Sequence, residues 1–99
     1  MNEVTPELIQ EFKERLHISH GSEDSNLKRM LSSSISYVER VCGTFDIQTH
    51  SEAKELVMER SRYTYNDSLE FFEQNFLSMI QGLSLSLLPD ISEEGAVID

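Results

Sequence analysis

Several residue types that would announce a function are scarce or missing from this chain. It has no tryptophan, one cysteine, two prolines and four glycines. A single cysteine closes no disulfide within the chain, which excludes a disulfide-stapled secreted scaffold. The glycines (Gly21, Gly43, Gly82 and Gly95) stand alone, so there is no glycine-rich phosphate loop. No apolar run approaches the roughly 18 residues that a membrane-spanning helix needs. Met1-Asn2-Glu3-Val4 shows neither the basic stretch nor the apolar core of a secretory signal, and the expectation is a soluble intracellular protein with no membrane partner. Positive charge is also short, with 8 Lys plus Arg against 18 Asp plus Glu, a net charge of −10. Nucleic acid and anionic membrane both repel such a chain and are excluded as primary ligands.

What remains is a 99-residue chain, 38% apolar and 26% charged, which reads as one small folded domain. A core of that size leaves a narrow stability margin and favours a metal, a disulfide or a partner chain as helper. Charge divides the chain unevenly. All eight bases lie in the first 62 residues, against eleven acids there, for a net −3. From Tyr63 onward there are seven acids and no base, a net −7. A segment that is wholly anionic meets a basic or polar partner, or faces something it should not hold.

Hydrophobic spacing predicts an all-α fold of three to four helices, built around a hairpin of the second and third. Thr5-Pro6-Glu7 has the features of a helix start. Leu8, Ile9, Phe12 and Leu16 then make one stripe, giving a helix over about 6–16 that ends before His17-Ile18. A second helix begins near Ser22 and keeps its period through Leu27, Met30, Leu31, Ile35, Val38, Val41 and Cys42. Gly43 stops it in a left-handed cap. Ser32, Ser33, Ser34 and Ser36 are small enough to let a neighbouring helix come close. Residues 44–50 form a loop anchored by Phe45 and Ile47. Thr49 with Glu52 fits a capping box, and the third helix follows with Ala53, Leu56, Val57 and Arg60. Asn66-Asp67 interrupts it, after which Leu69, Phe72, Phe76, Met79, Ile80 and Leu83 continue at helical spacing. Leu83-Ser84-Leu85-Ser86-Leu87 alternates with period two, a possible short strand with no partner strand in the chain. Pairing with another chain and a plain helix end both fit it. The expected domain is 1–88, followed by a flexible acidic tail over 89–99.

Chemistry-bearing residues are few. His17, His20 and Cys42 supply a nominal zinc set, but Cys42 lies on the apolar stripe, so a buried thiol and solvated loop histidines are expected. Cys42 also lacks the base and electropositive surround of a nucleophile. Glu11/Glu14 and Glu55/Glu59 sit one helical turn apart, as solvated faces do more often than acid–base pairs. Lys28-Arg29 and the Arg60–Arg62 cluster suit salt bridging and helix capping. No enzyme, cofactor or metal is expected. The aromatic stretch is more telling: Tyr63, Tyr65, Phe71, Phe72 and Phe76 are five of eight aromatics. Phe72, Phe76, Met79, Ile80 and Leu83 share one helix face, while Phe71 points away and, with Leu69, widens the apolar surface. A core role and an intersubunit contact both suit this group.

The order of these pieces resembles the head–tail connector (adaptor, or head-completion) proteins of tailed bacteriophages. The resemblance lies in the opening helix leading to Phe12-Lys13-Glu14-Arg15-Leu16-His17-Ile18, and in the long helix ending Ser36-Tyr37-Val38-Glu39-Arg40-Val41-Cys42-Gly43. It continues in Arg62-Tyr63-Thr64-Tyr65-Asn66-Asp67-Ser68-Leu69-Glu70-Phe71-Phe72 and Asn75-Phe76-Leu77, covering most of 5–88. Many relatives carry a tryptophan or a Leu-Pro-Phe element after the third helix. Here Asn66-Asp67 and phenylalanines stand in its place. The resemblance implies a non-catalytic virion protein, assembled in the bacterial cytoplasm into a ring, usually of twelve subunits. The ring would sit under the portal, extend the DNA channel without binding double-stranded DNA tightly, and dock the next completion, stopper or tail protein. It implies ring contacts through the aromatic stretch and chain end: Tyr63, Tyr65, Asn66, Asp67, Leu69, Phe71, Phe72, Phe76, Leu83, Leu85 and Leu87. The competing expectation from charge alone is an acidic helical regulator or inhibitor that masks a basic protein.

Overall fold

The computed structural model describes residues 2–88. The expected acidic tail over 89–99 lies outside the described residues. The chain is all-α: α1 (Pro6–Leu16), α2 (Asp24–Cys42), α3 (Ser51–Tyr65), a 3-10 turn (Leu69–Phe71), α4 (Phe72–Asn75) and α5 (Leu77–Ser86). There is no strand among the described residues.

The first helix starts and stops as its sequence dictates. The Thr5 side chain accepts from the Leu8 N–H at 3.1 Å, and Pro6 takes the first helical position. His17 closes the helix in the left-handed region at φ 61°, an uncommon place for a residue with a Cβ. The α2 helix starts at Asp24, slightly later than expected, with no side-chain cap. It ends at Gly43, whose φ of 119° and ψ of 177° are not the left-handed cap expected but a region that only glycine enters cheaply. The start of α3 is a correction. His50, not Thr49, is the cap, its Nδ1 accepting from the Ala53 N–H at 3.3 Å.

The α2–α3 hairpin forms the centre of the core, with Leu27, Leu31, Val38, Leu56 and Val57 all buried. Of the four small residues expected to ease that approach only Ser34 does so, while Ser32, Ser33 and Ser36 face solvent. Ser34 meets Ser61 of α3, their hydroxyl oxygens 2.9 Å apart and both fully buried. The α1 helix covers the hairpin with Leu8 and Phe12. Asn2 fastens the interhelical loop, donating to Phe45 O (2.9 Å) and Glu39 Oε2 (2.8 Å) and accepting from Ile47 N (2.8 Å). Phe45 and Ile47 are buried anchors, as expected.

The segment after Asp67 departs from its expected form. A single helix through residue 83 is instead broken, with Phe76 at φ −117° between α4 and α5. The possible strand at Leu83–Leu87 is a correction as well, because Leu83 to Ser86 are helical. Period two and a helical i, i+4 pair cannot be told apart over five residues. Leu83 and Leu87 turn to the core one helical turn apart, while Leu85 faces the other way. With no partner strand to satisfy a ladder, the backbone bonds within itself.

Candidate assembly surface

A ring of charges organises the α1–α3 side. Arg15 reaches from α1 to Glu55 (2.9 Å) and Glu59 (2.6 Å), and Arg62 holds Glu59 from the next turn (2.6 Å). Glu59 is buried, which corrects its expected place on a solvated face. Burial alone would raise its pKa, but the hydrogen bonds from Arg62 and Arg15 outweigh that and hold it below the ordinary carboxylate range. Lys13 pairs with Asp24 (3.0 Å) and Lys54 with Glu11 (2.9 Å). A cleft of about 270 Å³ opens beside this network, lined by charged residues already in pairs such as Arg15, Lys54 and Glu55.

The α2 side is different. Among the described residues Lys28, Arg29 and Arg40 have no carboxylate partner. Arg60 of α3 has none either. It donates to Ser34 (3.2 Å) and lies 4.4 Å over the Tyr37 ring. The Tyr37 hydroxyl donates to Glu73 at 2.7 Å, tying α4 to α2. Burial, and then that carboxylate, push the Tyr37 phenol up to about 12.

The aromatic stretch divides into an inner and an outer set. Phe72 is fully buried, its ring edge-on to Tyr37 (6.1 Å) and Tyr63 (5.8 Å) and stacked on Phe76 (4.9 Å). Tyr63 also meets Phe76 edge-on at 5.6 Å. These contacts lie within one protomer, with Phe72 and Leu83 enclosed and Tyr63, Phe76 and Leu87 half-buried around them. Tyr65 is half-buried and donates to Glu23 at 3.1 Å. Asn66 and Asp67 are exposed at the turn that ends α3, where Asp67 takes φ 57°.

The outer set is apolar and uncovered. Among the described residues, Leu69, Phe71 (52% exposed), Leu77 (51%), Leu85 (69%) and Leu88 (62%) are five of the six exposed large hydrophobics, Val41 being the sixth. The α5 helix carries no charged residue. Its inner face, Ile80 and Leu83, is core. Leu77 and Leu85 lie on the outer side, with Leu88 following one turn after Leu85. Leu77 and Leu88 are not among the ring contacts expected from the sequence, although Leu77 lies eight residues before Leu85 and Leu88 three after it, spacings that share one side of a continuous helix. Such a helix, apolar on both sides, leaves surface that water solvates poorly.

Among the described residues no three His, Cys, Asp or Glu side chains gather closely enough to hold a metal. Cys42 is buried, with its thiol 3.6 Å from the Ile80 carbonyl oxygen. No helix among the described residues is long and apolar enough to cross a membrane. No family model, curated protein or solved structure matches the chain.

Proposed function

We propose that this protein is a non-catalytic assembly subunit, a head–tail connector of a tailed phage. It forms a ring under the portal and docks the next completion or tail protein. The observation that carries an assembly role is α5: a charge-free helix whose inner face is core and whose outer side, with Leu77 and Leu85, is bare. A second chain would remove that apolar area from water, at about 25 cal/mol for each Å² buried. The element order adds support to the connector identity: a short opening helix, a long helix stopped at Cys42-Gly43, a third helix and a broken aromatic segment.

Charge fits the same role. Net −10 disfavours tight binding of duplex DNA, so DNA can slide through a channel built from such subunits. Association between copies by themselves would be weak, and the portal would template the ring.

The test is mass by light scattering, of the protein alone and with purified portal rings from its own phage. Several copies bound per portal ring would support the reading. Failure to bind portal, with a compact one-to-one complex on a basic protein instead, would favour an acidic inhibitor. In a mobility-shift assay at physiological salt, duplex DNA should shift weakly or not at all. Strong, salt-sensitive binding would overturn the charge argument.

A further inference from the structure

The outward face of α2 is unusual in so acidic a chain. Between Ser25 and Val41 its exposed side chains include Lys28, Arg29 and Arg40, separated by the exposed small residues Ser32, Ser33 and Ser36, and no exposed acid. The one acid in that stretch, Glu39, is half-buried and accepts from Asn2 at 2.8 Å. No base of α2 meets a carboxylate among the described residues, Arg29 donating instead to Asn26 (2.7 Å) and Arg40 lying 5.6 Å over the Tyr37 ring, whereas both bases of α1 are ion-paired. The C-terminal end has the opposite character. Asp67, Glu70 and Glu73 are exposed, no base follows Arg62, and the outer side of α5 is apolar.

We infer that the exposed C-terminal end of one copy, centred on α5, docks on the outward basic face of α2 of a second copy. This rests on the assembly reading above and specifies which two surfaces meet. Within one protomer Glu73 already accepts from Tyr37 of α2. The outer leucines of α5, however, cannot reach the outward face of α2, because α5 packs on the C-terminal end of α2 through its inner face, with the Cys42 thiol against the Ile80 carbonyl. Pairing two C-terminal ends symmetrically would bring one acidic end, with Asp67, Glu70 and Glu73, up to another, and like charges oppose that contact. Pairing unlike faces brings Asp67 and Glu70, which accept no side-chain bond among the described residues, toward bases without a carboxylate partner and covers the leucines of α5. A contact between two different surfaces propagates head to tail, which is the symmetry a ring requires.

Two surface variants separate the possibilities in sedimentation velocity at low salt, up to millimolar protein. One is Leu77→Asp with Leu85→Asp, which spoils the apolar face. The other is Lys28→Glu, Arg29→Glu and Arg40→Glu, which reverses the basic face. The wild type should self-associate, and each variant alone should associate at least about tenfold more weakly. Their mixture should form a one-to-one pair and stop there, because each variant keeps one intact face. That pairing also shows both variants are folded, with circular dichroism as the independent check. If the charge-reversed variant associates like wild type while the leucine variant does not, this inference fails and the connector reading stands. A mixture that does not pair, though both variants are helical, also overturns it. A wild type that stays monomeric at every concentration overturns it whether or not portal binds.

Discussion

The two ends of this small fold are held by different forces. Around α1 and the adjoining face of α3, charges face one another: Arg15, Arg62, Lys13 and Lys54 each meet a carboxylate, and buried Glu59 links two of them. From Leu69 to Leu88 there are two charged residues, Glu70 and Glu73, and no ion pair among the described residues. That end is held by aromatic stacking and by apolar contacts on one side of α5. The ion-paired end has its charges satisfied inside the subunit. The apolar end has groups left over, and leftover apolar surface is what drives association between chains.

The sharpest way to break the contrast is to remove the aromatic anchor. Phe72→Ala leaves a cavity among Tyr37, Tyr63 and Phe76 and should cost about 4 kcal/mol, a large part of what so small a domain has. Urea denaturation measures it, and a loss below about 1 kcal/mol would mean the aromatic cluster does not hold this end.

Glu59→Gln tests the other end. It removes charge-assisted hydrogen bonds from Arg15 and Arg62 and should cost about 2 kcal/mol at neutral pH. Because the folded-state pKa of Glu59 is depressed, its contribution is complete above the ordinary value of about 4.3 and is lost as pH falls through the lower folded value. Denaturation curves below pH 5 should therefore fall less steeply in the variant than in wild type. Parallel curves would mean Glu59 is not coupled to the two arginines.

Tyr37→Phe removes the bond from α2 to Glu73 and should cost about 1 kcal/mol. The phenol, raised to about 12 in the fold and near 10 when unfolded, contributes stability that is present below pH 10 and lost between those values. The variant should lack that alkaline loss. The smallest effect on folding is expected from Leu85→Ser, within about 0.5 kcal/mol. Its midpoint in urea should match wild type while its self-association weakens. An equal loss of both would place Leu85 in the fold and not on a docking face.

Much of the architecture was legible because local signals agreed with the tertiary packing. Thr5-Pro6-Glu7 fixed the start of α1, and the apolar period over Leu27 to Cys42 fixed α2 to within two residues of its expected start. The broken C-terminal helix was not legible. Neither glycine nor proline marks the bend at Phe76, and it serves long-range contacts of Phe72 and Phe76 with Tyr63. The buried Glu59 escaped for a similar reason, since its partner Arg15 lies 44 residues away. At the candidate surface, the alternating leucines fit a strand and a plain helix end alike in sequence, and the structure has the helix end. Leu83 and Leu87 belong to the core, and only Leu85 is bare. The basic face of α2 needed the structure, because Lys28, Arg29 and Arg40 become notable only when Lys13, Arg15, Lys54 and Arg62 are seen to be ion-paired.

The most direct test of the account is amide hydrogen exchange on dilute protein and on protein concentrated until it associates. New protection on association is expected across 69–88 and along the outer side of α2, with α1 unchanged. Protection that rises in α1 and at the start of α3, with 69–88 exchanging as in the dilute protein, would contradict it.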